Sequence, residues 1–171
     1  MKTNYVVLPV VLIIVLAMMV FGRQNHGGTS MKDMKKHDMM SRMGKPTVDA
    51  TVEGLHMKLW LITQKHHKKL MKEMKNDGMK MDEATKEVMM AGTHHMILHV
   101  TDVPSGKEIT DASVKVLMVS PSKKNSSVEL KSVMRCFGDG LKLTEKGEYQ
   151  FNVIVKVDGV PKATQFKYKV K

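Results

Sequence analysis

The strongest constraint on the fold is the side-chain alternation near the end of the chain. Tyr149, Phe151, Val153, Val155 and Val157 alternate with Gln150, Asn152 and Lys156, and after Asp158-Gly159 the pattern returns at Thr164, Phe166, Tyr168 and Val170. A period of two sends one set of side chains to a buried face and the other to water, which is the signature of strands paired in a sheet. Asp-Gly suits a two-residue type I′ turn, because both of its central residues need positive φ. A long β-hairpin is therefore expected over Tyr149–Val170.

The residues before this hairpin are punctuated in the same way. His94 to Asp102 precedes a turn at Pro104-Ser105-Gly106-Lys107, and Ala112 to Ser120 precedes one at Pro121 to Ser127. Val128 to Cys136 follows as a strand, then a break at Gly138-Asp139-Gly140 and a short Leu141–Leu143 piece. Earlier, Val48 to Thr63 reads as strand, with Leu55, Met57, Leu59 and Leu61 on one face and Gly54, His56, Lys58, Trp60 and Ile62 on the other. Six or seven short strands at this spacing imply an all-β, immunoglobulin-like antiparallel β-sandwich, with a barrel as the alternative.

A helical insertion at 65–91 interrupts the strands. Lys65 to Lys75 predicts a short helix with His67, Met71 and Met74 on one stripe, and Asp82 to Met90 predicts a second that stops at Gly92. The domain expected to carry all of this is 47–171. Residues 23–46 are polar, with Met31, Met34, Met39, Met40 and Met43 around His37, and too few other apolar residues to form a core; a flexible tether is expected. Residues 1–22 read as a signal peptide or membrane anchor: Lys2 is followed by sixteen uncharged residues from Val6 to Phe21. That run is short for a spanning helix and contains Pro9, which favours cleavage, with membrane association through residues 5–22 as the alternative. A periplasmic or extracytoplasmic location follows from either.

Cys136 is the only cysteine, so an intramolecular disulfide is excluded and the fold must hold by packing. Its spacing from Met134 would put both on one strand face as a soft pair, although a lone cysteine is more often a structural one. Without the leader, 27 basic residues face 17 acidic ones. The lysines are scattered and no recognition motif accompanies them, so no nucleic-acid partner is expected.

The unusual feature is the distribution of sulfur and imidazole. Of 18 methionines, thirteen lie between His26 and His99, as do all eight histidines, whereas only Met118 and Met134 follow residue 100. A thioether is neutral and polarisable, so methionine beside histidine selects copper as Cu(I), or Ag(I), over hard cations. Any one of these residues is better read as packing; the confinement of the group to one half of the chain is what points to metal. Three clusters can supply ligands: His94, His95, Met96 and His99; His56 and Met57; and His66, His67 and Met71, with Met74 beside them. Alternate residues of a strand lie roughly 6.6 Å apart, so no single strand closes a site and a neighbour is required.

Gly92-Thr93-His94-His95-Met96, Val100-Thr101-Asp102, Ser105-Gly106-Lys107-Glu108-Ile109, Ala112-Ser113-Val114, Lys146-Gly147-Glu148-Tyr149 and Phe166-Lys167-Tyr168 together resemble the YtkA-like family and related exported, immunoglobulin-like copper-associated domains, over roughly residues 48–171. The resemblance implies a sandwich that handles metal or assists the assembly of a copper enzyme, with ligands at His94, His95 and His56. The Met31–Met43 stretch looks like the methionine-rich motifs of copper transport and resistance proteins.

Several classes drop out. No histidine follows Cys136, which removes a blue-copper centre. There is no HExxH or Gly-x-Ser-x-Gly, so hydrolytic catalysis has no support and a non-enzyme is expected. The expectation is an exported copper-binding metallochaperone or scavenger whose partner is a metal ion and a copper enzyme or transporter. The alternative is an interaction domain whose basic face docks an acidic partner or an anionic membrane.

Overall fold

The structure, a computed structural model, describes residues 40–76, 83, 87 and 90–171. The 1–22 leader or anchor and most of the 23–46 tether lie outside these residues, as does most of the helix expected over Asp82–Met90, of which Glu83, Glu87 and Met90 are described as helical.

Among the described residues eight strands and one long helix are ordered β1 (Val48–Val52), β2 (Leu55–Thr63), α1 (Gln64–Asn76), β3 (His94–Asp102), β4 (Ser113–Val119), β5 (Asn125–Val133), β6 (Cys136–Leu141), β7 (Gly147–Val157) and β8 (Val160–Val170). All neighbouring strands pair antiparallel, in the order β1-β2-β3-β6-β5-β4-β7-β8. The hairpin-connected run β4-β5-β6 has β7 returning beside β4, which is a Greek key. The sheet folds over on itself as an all-β sandwich with barrel-like closure. The first and last strands approach each other, and Lys162 Nζ donates to the Glu53 carbonyl at 2.6 Å across the gap.

The inner face follows the sequence alternation. Leu55, Met57, Leu59 and Leu61 of β2 pack with Met96, Leu98 and Val100 of β3, Val114 and Val116 of β4, Phe137 of β6, and Tyr149, Phe151, Val153 and Val155 of β7. Phe151 stacks on Phe166 of β8 with ring centroids 4.7 Å apart. The β7–β8 turn is the expected one, with Asp158 at φ 48° and Gly159 at φ 83°.

Two local expectations change. Val48–Thr63 is a hairpin rather than one strand, because Glu53 and Gly54 both take positive φ (45° and 81°) and form a two-residue loop. The break expected at Gly138-Asp139-Gly140 is instead the middle of β6; the chain reverses earlier, at Met134 and Arg135, with φ 50° and 67°. The two glycines serve close approach. A Cβ on Gly140 would overlap the Ala91 carbonyl, and one on Gly138 would sit 3.3 Å from His95 Nε2. Met134 and Cys136 are consequently not two positions of one strand face.

Helix α1 begins where Thr63 Oγ1 accepts the backbone N–H of His66 at 3.3 Å, an N-cap, and Gln64 N donates to the Thr93 carbonyl at 2.9 Å. Its buried stripe is His67, Leu70 and Met74, so Leu70 takes an inward position and Met71 lies half-buried at the margin. The helix covers the outer face of β2 and β3, where a second core cluster gathers Met43, Trp60, Ile62, Leu70, Ile97 and Cys136. Residues 40–46, expected within the tether, are thereby drawn onto the domain: Met43 is buried, and Trp60 Nε1 donates to the Gly44 carbonyl at 2.9 Å.

Candidate metal centre beneath the helix

Strand β3 is buried on both faces, and its alternation sorts the histidines. His94, Met96, Leu98 and Val100 point inward, while His95, Ile97 and His99 point outward, His95 and Ile97 toward α1 and the segment before β1 and His99 toward Glu108. Near α1 the outward face is covered by the buried side chains of Leu70, Met74 and Met43.

In this space the His67 and His95 rings stack, 4.3 Å between centroids and 6° from parallel. Both side chains are buried, and His95 Nδ1 has no hydrogen-bond partner among the described residues. Burial first, and the His67 charge second, hold the His95 imidazole down to about 3 from its ordinary value of 6.5. The ring is therefore neutral at physiological pH, which is the form that binds metal.

A cavity of about 30 Å³ adjoins the pair, lined by His67, Leu70 and Met74 of α1, His95 and Ile97 of β3, Cys136, Phe137 and Gly138 of β6, Met43, and Val133 and Met134 at the β5–β6 turn. By the ~10–15 Å³ that one water requires, this is room for an ion or about two waters. Its heteroatoms are two imidazoles, one thiol and three thioethers, and among the described residues no carboxylate lines it. Glycine at position 138 keeps the wall open beside His95 Nε2.

Among the described residues no three His, Cys, Asp or Glu side chains are arranged to hold a metal ion. An ion here must therefore draw on thioether sulfur. The parallel stack sets a further condition: the lone pairs of two stacked rings lie in separate parallel planes, so both imidazoles can reach one ion only if a ring turns. One imidazole with sulfur donors needs no such turn.

The other histidines and methionines named from sequence are placed elsewhere. His94 is buried with Nδ1 3.0 Å from Thr93 Oγ1 and its ring edge-on to Tyr168; burial lowers its pKa. His56 Nε2 lies 2.6 Å from Asp49 Oδ1, and His99 Nε2 lies 3.0 Å from Glu108 Oε1, which also holds Arg135 through Oε2. His66 is exposed on α1, and Met57 and Met96 fill the main core. His56 is a neighbour of β3 as expected, but opposite Thr101; His95 faces Ile62, six residues along, or about 20 Å at the rise of a strand.

Of the donors now gathered, His67 and His95 were named as ligands from sequence and Met74 was noted beside them. Met134 and Cys136 are expected from sequence as a soft pair on one strand face and instead flank the β5–β6 reversal, while Met43 is expected in the tether and is buried against the domain.

Among the described residues no helix is long and apolar enough to cross a membrane. Compared with protein-family models, with curated proteins and with solved structures, the chain has no match.

Proposed function

We propose that this is an exported soft-metal binding protein, a metallochaperone or scavenger for copper as Cu(I), and that its ion sits beneath α1. The observation that carries the reading is the apolar-lined cavity that His67 and His95 share with Met43, Met74, Met134 and Cys136. Neutral imidazole and thioether donors favour a polarisable univalent ion. An orphaned, buried imidazole nitrogen at the cavity wall costs free energy unless something binds it. Bound copper would supply no chemistry beyond its own capture and release; the chain's residues hold it, exclude water and keep His95 deprotonated. The hydrophobic N-terminal run supports export, and the methionine-rich stretch before residue 44 suits ion collection.

The test is competition for Cu(I) between the full chain and a chromogenic chelator. The wild type is expected to withdraw the ion, and a chain with His67→Ala, Met74→Ala and His95→Ala together to lose that ability by at least about tenfold, the cost of one modest donor. No competition by the wild type ends the copper reading. Undiminished competition by the triple variant ends the assignment to this cavity.

A second reading is favoured by the solvent side of α1, where Lys65, Lys68, Lys69, Lys72 and Lys75 are exposed against a single carboxylate, Glu73. Such a face suits an acidic partner or an anionic membrane. Binding of the full chain to anionic vesicles or to an acidic protein that falls steeply with salt, in the absence of any copper affinity, would put this reading first.

A further inference from the structure

Charge balance in the cavity beneath α1 selects among its donors. Leu70, Ile97 and Val133 line it with Met43, Met74 and Met134, so an ion entering it leaves water for a largely apolar surrounding. An uncompensated charge there costs several kcal/mol even after relaxation. Thioethers and neutral imidazoles supply electron pairs and no charge. Among the lining residues only Cys136 can become an anion.

We infer that Cys136 enters this site as a thiolate, so that the pocket takes a univalent closed-shell ion as a neutral ion–thiolate pair and discriminates against divalent metals by charge. The inference rests on the soft-metal reading above. The exchange balances without any redox partner: the S–H bond of Cys136 breaks, the sulfur pair forms the bond to Cu(I) or Ag(I), and one proton leaves to solvent. A divalent ion on the same donors would leave one positive charge buried, and a univalent ion held by thioether and imidazole alone would do the same.

Cys136 shares the lining of this cavity with a buried imidazole, that of His95. Cys136 and Gly138 occupy the same outward face of β6, and the His95 ring reaches to where a Gly138 Cβ would be, 3.3 Å from its Nε2. His95 Nδ1, buried and without a hydrogen-bond partner among the described residues, belongs to that same ring. As the sole cysteine and in no disulfide, Cys136 is also the only thiol a reagent can report on.

The experiment is a titration of the reduced full chain with Ag(I), which is redox-inert, in weak buffer near pH 7.5, where ordinary imidazoles (~6.5) are mostly neutral and ordinary thiols (~8.5) mostly protonated. The expected result is one proton released per ion at the tightest site, with a sulfur-to-metal charge-transfer absorption, and no displacement of Ag(I) by a large excess of Zn(II). Cys136→Ser is expected to lose affinity by at least ~100-fold, because it leaves the ion's charge unpaired. Proton release and absorption are read on the wild type, so they stand even if the variant folds poorly. Tight Ag(I) binding with no proton released overturns the thiolate assignment and leaves a thioether–imidazole site standing. Displacement by Zn(II) overturns the charge argument. No binding of Ag(I) or Cu(I) at all removes the soft-metal reading, and this inference with it.

Discussion

Acid should destabilise this protein through His95 well before its carboxylates titrate. In the folded state burial, then the His67 charge, keeps the His95 imidazole neutral down to about 3; in the unfolded chain it takes a proton below about 6.5. Between those values the unfolded state binds more protons, so stability rises with pH. The contribution is fully present above 6.5 and is lost progressively as pH falls through the window. At about pH 4.5 two of those pH units have been crossed, and at 1.36 kcal/mol per unit the loss is about 3 kcal/mol. That is a large share of a typical stability of roughly 5–15 kcal/mol. Asp49, Asp102 and Glu145, held low by hydrogen bonds from His56, Ser105 and Ser122, lose their contributions only as pH falls through the lower carboxylate range. Their loss has only begun at about pH 4.5, so the interval from about pH 7 to 4.5 is dominated by histidine.

Urea unfolding monitored by the single tryptophan, Trp60, measures this directly, because Trp60 is buried in the same cluster as Leu70 and Cys136. With a slope of about 2 kcal/mol/M, the wild-type midpoint should fall by roughly 1.5 M across the interval from His95 alone. His95→Gln removes the titrating group and should flatten that dependence, leaving the smaller slope due to His94, whose pKa burial also lowers. Comparing slopes rather than absolute stabilities discounts whatever the substitution does to packing. If wild type and His95→Gln lose stability in parallel, differing by less than about 1 kcal/mol over the interval, the imidazole is not held neutral by its surroundings and the reasoning fails.

Other substitutions test the remaining contacts. Gly140→Ala forces a methyl into the Ala91 carbonyl and should cost about 3 kcal/mol or more, read as a lowered thermal midpoint; tolerance would mean β6 and the chain before Thr93 are not in close contact. Phe151→Ala removes a fully buried ring from the Phe166 stack and should cost about 3–5 kcal/mol, enough to leave much of the chain unfolded by circular dichroism. Trp60→Phe loses the hydrogen bond to the Gly44 carbonyl, about 1 kcal/mol, and should speed proteolytic cleavage near residues 40–46 while the sheet stays intact. Unchanged cleavage would show that this segment is held by Met43 alone.

The sandwich was readable from local pattern. Alternation and turn chemistry act over two to eight residues, so Tyr149–Val157, Asp158-Gly159 and the Lys65–Lys75 helix could be assigned before any partner was known. The misassigned stretches are those where a tertiary contact overrides the local signal. Gly138 and Gly140 resemble a turn because glycine usually marks one, yet here they admit the His95 ring and the Ala91 carbonyl into the face of a strand. Met134-Arg135 resembles continuous strand because neither residue favours positive φ, yet the chain reverses there.

By itself, the sequence determined an antiparallel β protein with one helical insertion and a supply of soft donors concentrated in its first hundred residues. Which donors meet was decided only by strand register and by the face α1 covers. Pairing of Thr63 with His94 brings the two ends of the insertion together, so that His67 stacks on His95 while His56, about 20 Å down the same strand pair, goes to Asp49. Cys136, Met134 and Met43 arrive from three places distant in the chain, and no local period records such a meeting. Composition states which soft donors exist; only the burial of one sheet face beneath α1 makes a few of them neighbours in one cavity.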